Sequence, residues 1–119
     1  MGNRNSVVLH EPDANPLYLY SHWHGQELDN VICEALLRGK SRTNDVTYFT
    51  RILFQEMIGD DQSNLGFGIC QREPDHDSSN IKTHIHWLHG TEEMYIVRAD
   101  VEYSPDEFIS QFSRRIRLV

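Results

Sequence analysis

LYLYSHWHGQELDNVICEALLR, residues 17–38, contains the change of period on which the fold turns. From Leu17 to His22 the chain alternates. Leu17, Leu19 and Ser21 share one side and Tyr18, Tyr20 and His22 the other, the pattern of a strand with two unlike faces. Gly25 ends that stretch. From Gln26 onward Leu28, Ile32, Ala35 and Leu36, with Val31 at the edge, recur at helical spacing. Glu27 and Asp29 place negative charge in the first turn, Arg38 lies in the last, and Gly39 is a natural C-terminal stop. A tyrosine-rich strand therefore runs almost directly into an amphipathic helix.

Upstream, Val7 to Leu9 is a short apolar strand. Glu11-Pro12-Asp13-Ala14-Asn15-Pro16 is a turn, because its prolines cannot sit inside a ladder, so the first two strands form a hairpin. Downstream, Thr43 or Asn44 caps a second helix, whose stripe is Val46, Phe49, Ile52, Leu53, Met57 and Ile58, ending at Gly59. Leu65, Phe67 and Ile69 then alternate with Gly66, Gly68 and Cys70. This strand has a bulky face and a bare one, and the bare one lets a backbone or a large side chain such as Trp23 approach closely. Ile81, Thr83, Ile85 and Trp87 alternate with Lys82, His84, His86 and Leu88, a turn follows at Gly90-Thr91-Glu92, and Met94 to Val101 returns as a strand. Ser104-Pro105-Asp106-Glu107 is a capping-box helix start ahead of Phe108, Ile109 and Phe112. The order ββ-αα-βββ-α predicts one α+β domain over residues 1–119. Its mostly antiparallel sheet has about five strands, with two helices on one face and a short C-terminal helix.

With 39% hydrophobic and 24% charged residues, the 119-residue chain can bury a single core without disulfides or metal. A formal net charge of −7 opposes general nucleic-acid binding and favours a basic partner instead. Cys33 and Cys70 are the only cysteines, and both read as small buried hydrophobes in a reducing compartment. There is no apolar run long enough for a membrane span, and Met1 to Asn5 is polar without a signal core, which predicts residence in the bacterial or host-cell cytoplasm.

Four constellations are candidates for chemistry. The first is the strand-to-helix corner: Tyr20, His22, Trp23, His24, Gly25 and Gln26. A helix start offers unpaired amides to an anion, Gly25 permits close approach, and the aromatic and imidazole rings offer faces to a base. Together they predict a site for a nucleotide-like ligand; the competing reading is that Trp23 is core and the other rings simply cover the sheet. The second is metal. His22-x-His24 and His84-x-His86-x-x-His89 have ligand-like spacing, with Asp75, His76 and Asp77 as further donors. The apolar face of Ile81, Ile85 and Trp87 turns His84 and His86 outward, so the expectation is solvated histidines. Third, serines, cysteines and histidines occur in no order that defines a nucleophilic triad, and Cys33 falls by the apolar helix face; no enzyme activity and no cofactor are expected. Fourth, Asp60, Asp61, Glu73, Asp75, Asp77, Glu92 and Glu93 all fall in loops, as a docking rim for a basic surface or simply as solvated charge.

Tyr18-Leu19-Tyr20-Ser21-His22-Trp23 with the helix after it, Tyr48 to Ile58, Asp60-Asp61 and Leu65-Gly66-Phe67-Gly68-Ile69 resemble a family of small uncharacterised proteins of bacteria, especially actinobacteria, and their phages. Its members carry a Tyr-x-Tyr-Ser/Thr-His-Trp-x-Gly stretch, an Ala-Arg-Ile-Ile-Phe-x-Glu-Met-like helix and a Gly-Tyr/Phe-Gly-Ile strand. The likeness runs from Leu17 to Ile69; His24 replaces a position often small, and the histidine-rich hairpin is no family hallmark. It implies a coherent fold, a phage link, and attention to His22, Trp23, Gly25 and Glu56, with His22 and Glu56 as a hydrogen-bonded pair; it implies no reaction.

The sequence thus predicts a small non-enzymatic binding protein that sequesters a nucleotide-like signal at the corner, as a phage anti-defence module does. The alternative is an acidic inhibitor that docks on a host protein or mimics nucleic-acid charge. A homo-oligomer that builds its pocket across an interface fits either.

Overall fold

The computed structural model describes residues 3–63, 65–74, 80–90 and 93–114. Six strands form one mixed sheet: β1 (Asn5–His10), β2 (Leu17–Ser21), β3 (Phe67–Cys70), β4 (Thr83–Trp87), β5 (Met94–Arg98) and β6 (Val101–Tyr103). Among the described residues three α-helices complete the fold: α1 (Leu28–Arg38), α2 (Val46–Ile58) and α3 (Pro105–Phe112). The sheet order is β3-β2-β1-β4-β5-β6. The α+β architecture is the one expected, with two differences.

First, β1 and β4 pair in parallel, Val8 opposite His84 and His10 opposite His86, while every other neighbouring pair is antiparallel. Second, the expected last strand is two strands. Ala99 and Asp100 adopt positive φ of 50° and 65° between β5 and β6, the backbone of a tight primed hairpin turn.

Strand periodicity then divides the sheet. Val7, Leu9, Leu19, Ile85, Trp87, Met94 and Ile96 point to one face and join a cluster with Leu28, Ile32, Leu36, Phe49, Leu53, Met57 and Phe108. The apolar stripes of all three helices are buried here, which accounts for their spacing in the chain. Asp45, rather than Thr43 or Asn44, caps α2 by accepting the Tyr48 amide at 3.1 Å. The carboxylate reaches the third residue of the helix only from the position directly before it. Ser104 and Glu107 form the capping box on α3 as expected.

Asp29, in the first turn of α1, ties this layer to the sheet. Its carboxylate accepts from Thr83 Oγ1 on β4 and from Arg98 Nε on β5 at 2.7 Å, while the Arg98 guanidinium lies 5.0 Å from the Phe112 ring centre. Among the described residues no helix is long and apolar enough to cross a membrane.

Candidate functional site on the open sheet face

The face turned away from the helices is built by the alternate residues of the same strands. Val8 is 1% exposed yet stands outside the core cluster, flanked across the ladder by Tyr18 on one side and His84 on the other. Around it Tyr18, Tyr20, His10, His84, His86 and Tyr95 are all half-buried. The histidine hairpin is therefore packed rather than fully solvated, which corrects the sequence expectation. Rings on adjacent strands stand about one strand spacing apart and shield one another.

At the centre of this face three histidines converge. His84 and His86 stand two residues apart on β4, and His10 enters from β1 through the parallel pairing. His10 Nε2 and His84 Nδ1 share a hydrogen bond of 2.9 Å. One ligand nitrogen from each of the three rings lies within 4.8 Å of the others. The His86 ring stacks on His10, with centres 4.2 Å apart and planes 6° from parallel. It also stacks on Tyr95, at 4.8 Å and 9°. Since His10 and Tyr95 belong to the strands on either side of β4, both faces of His86 are covered and only the ring edges remain available.

Burial first, and neighbouring charge second, favour the uncharged form of all three rings. Burial chiefly, then the neighbouring His86 and His84, push His10 down to about 4. Burial also lowers His84, helped by the Lys82 charge. His86 is lowered by burial and by His84, with Glu102 opposing. A low local dielectric disfavours imidazolium, and each cationic neighbour adds repulsion.

His89 is not part of this cluster. It lies past the end of β4, 3.2 Å from Asp13, at the edge of a cleft that also includes Glu11 and Asp45. Strand alternation carries His84 and His86 onto the open face, but it does not govern a residue beyond the strand's end. His10 takes the place expected for His89. Asp75, His76 and Asp77 lie outside the described residues, as does Glu92. Of the other loop carboxylates, Glu73 pairs with Lys82 at 3.1 Å, and Asp60, Asp61 and Glu93 are exposed.

The strand-to-helix corner gathers Tyr20, His22, Trp23, His24 and Gly25, and the amides of residues 22 to 25 are all engaged. His22 N donates to Gly66 O at 2.8 Å, Gly25 N to Asn3 O at 2.8 Å and Glu27 N to His24 O at 2.8 Å. Ser21 Oγ accepts the amides of both Trp23 and His24 at 3.2 Å. The same hydroxyl lies 2.6 Å from His24 Nδ1; with two amides already on its oxygen, its hydrogen is what is left to share with that nitrogen. Asn5 Nδ2 donates to Gly25 O at 3.1 Å, and a Cβ on Gly25 would overlap the Asn3 side chain. The helix opens with a 3-10 turn, Gly25–Glu27, that also satisfies the Leu28 amide. Among the described residues the corner does not form the open electropositive notch that the site presupposes: the Asn3 backbone and the Ser21 hydroxyl occupy groups an anion would need. The Gln26 side chain lies outside the described residues.

Trp23 is neither core nor a free platform. It is 53% exposed, meets the His22 ring edge-on at 4.6 Å, and lies where a Cβ on Gly66 would stand. This is the close approach that the bare glycine face predicted, made at Gly66. His22 Nδ1 contacts Tyr20 Oη at 3.0 Å, while Glu56 binds Arg38 at 2.7 Å, so the expected His22–Glu56 pair does not form. Cys33 is buried and Cys70 half-buried on the edge strand.

No protein-family model, curated protein or solved structure matches this chain.

Proposed function

We propose that this is a small binding protein whose working surface is the open face of the sheet, centred on His10, His84 and His86. The observation that carries this reading is the convergence of three half-buried imidazoles on a face that receives no buried side chain from α1, α2 or α3. Buried polar groups cost free energy unless they are partnered, and a folded chain gains nothing for its core by gathering them there. Because His86 is stacked on both sides, the surface presents nitrogens rather than free ring faces. That favours a ligand held by its electron-accepting or hydrogen-bonding groups over one held by base stacking. A nucleotide-like ligand remains compatible with this face through its polar edge, and Tyr18 and Tyr20 extend the surface toward β3.

The test is solution NMR on the purified chain during titration with ATP, GTP and a cyclic dinucleotide, and with the small-molecule fraction of a bacterial extract. Shifts concentrated at His10, His84, His86 and Tyr95 support the reading. Shifts concentrated at Trp23 and Gly66 return function to the corner and contradict it.

A further inference from the structure

Taking the open face as the working surface, we infer that His10, His84 and His86 form a three-imidazole site for a divalent transition metal of the zinc class. The donors come from two hydrogen-bonded strands: two from alternate positions of β4 and one from the parallel neighbour β1. The ladder fixes all three Cβ positions, so only side-chain torsions remain to be set on binding. Nitrogen-to-metal bonds of about 2.0–2.1 Å in a tetrahedral shell require donor nitrogens about 3.3 Å apart. The three ligand atoms already fall within 4.8 Å, and the His10–His84 contact of 2.9 Å opens slightly while the wider separations close. His10, stacked on His86 with planes 6° apart, turns out of that stack so that both lone pairs meet one ion, while His86 stays against Tyr95.

The donor set also selects the ion. Among the described residues the three converging donors are all imidazoles. Hard cations such as calcium and magnesium demand oxygen donors, whereas neutral imidazole suits zinc, cobalt, nickel and copper. The proton now shared between His10 Nε2 and His84 Nδ1 moves to the far nitrogen of its own ring, a change of tautomer without net proton release. Tyr95, stacked on His86, braces one ligand ring against rotation. Three protein donors leave a fourth position on the side away from the core, open to water or to a donor atom of a bound partner.

The experiment uses the full chain, stripped with a chelator and dialysed. Zinc is titrated against a chromophoric competitor, with cobalt as a spectroscopic probe and magnesium and calcium as controls. The expected result is one zinc per chain, no response to magnesium or calcium, and a thermal midpoint that rises with zinc concentration because only the folded chain assembles the site. His86→Ala and His10→Ala each weaken zinc by at least about tenfold; His89→Ala and His22→Ala leave it unchanged. If an alanine variant does not fold, nitrogen-detected imidazole spectra of the unmodified chain decide the matter: zinc must shift His10, His84 and His86 and spare His22, His24 and His89. No saturable binding, or binding unaffected by His10 and His86, overturns the metal site. The open face outlives that failure if the nucleotide or extract titrations still shift these rings; silence there as well removes both.

Discussion

His10 and His84 stand 74 residues apart in the chain, yet their ring nitrogens lie 2.9 Å from each other. The contact exists only because β1 pairs with β4 in parallel, with β2, two α-helices and β3 between them in the chain. The candidate site is thus a product of topology. It straddles the parallel ladder of the sheet, which no hairpin can create.

Gly66 tests the packing of the corner. Its φ is +94°, and a Cβ there would collide with the Trp23 indole nitrogen. Gly66→Ala therefore meets both backbone strain and a clash, and should cost about 1–3 kcal/mol. Urea unfolding monitored by tryptophan fluorescence reads both consequences. The midpoint falls and the native emission changes as Trp23 is displaced. A variant as stable as the parent would contradict the packing described.

Asp29 tests the link between α1 and the sheet. Removing its carboxylate leaves Arg98 and Thr83 without their shared acceptor in a largely buried position. Asp29→Ala should lose about 3 kcal/mol, and Asp29→Asn less, since the amide oxygen still accepts one of the two bonds. Chemical denaturation measures both: equal losses would contradict the bond retained by the amide, and no loss in Asp29→Asn would show that the side chain acts by shape alone.

His24 carries a pH signature away from the open face. Burial lowers its pKa below 6.5, against a smaller opposing pull from Glu27. The unfolded chain then binds a proton that the folded chain resists. Stability from this group is complete above pH 6.5 and declines as pH falls through that value toward the lowered folded one. His24→Asn keeps an acceptor for Ser21 and removes the titration. Its loss of stability between pH 7 and pH 5 should be shallower than the parent's, measured as the change in urea midpoint. Parallel curves for the two proteins would contradict the burial of His24.

Much of this architecture was legible because its signals are local. The stripes of α1 and α2, the glycine stops at Gly39 and Gly59, and the Ser104–Glu107 box each occupy a few consecutive turns. The break between β5 and β6 was hidden because Ala99 occupies a positive-φ position where asparagine or glycine usually marks the turn. His10 was missed for a different reason. It lies beyond the strand expected over Val7 to Leu9, and only the longer β1 and its parallel pairing place it beside His84 and His86. At the corner, the Ser21 hydroxyl that accepts two amides follows a pattern readable from a serine just before a turn. The Asn3 backbone that completes the closure comes from the chain's start and leaves no trace near Gly25.

The most direct measurement is a crystal structure of the zinc-loaded chain with anomalous differences collected at the zinc edge. The account predicts a single strong peak about 2.0–2.1 Å from one nitrogen each of His10, His84 and His86. A peak held by other residues, or none at saturating zinc, would contradict it.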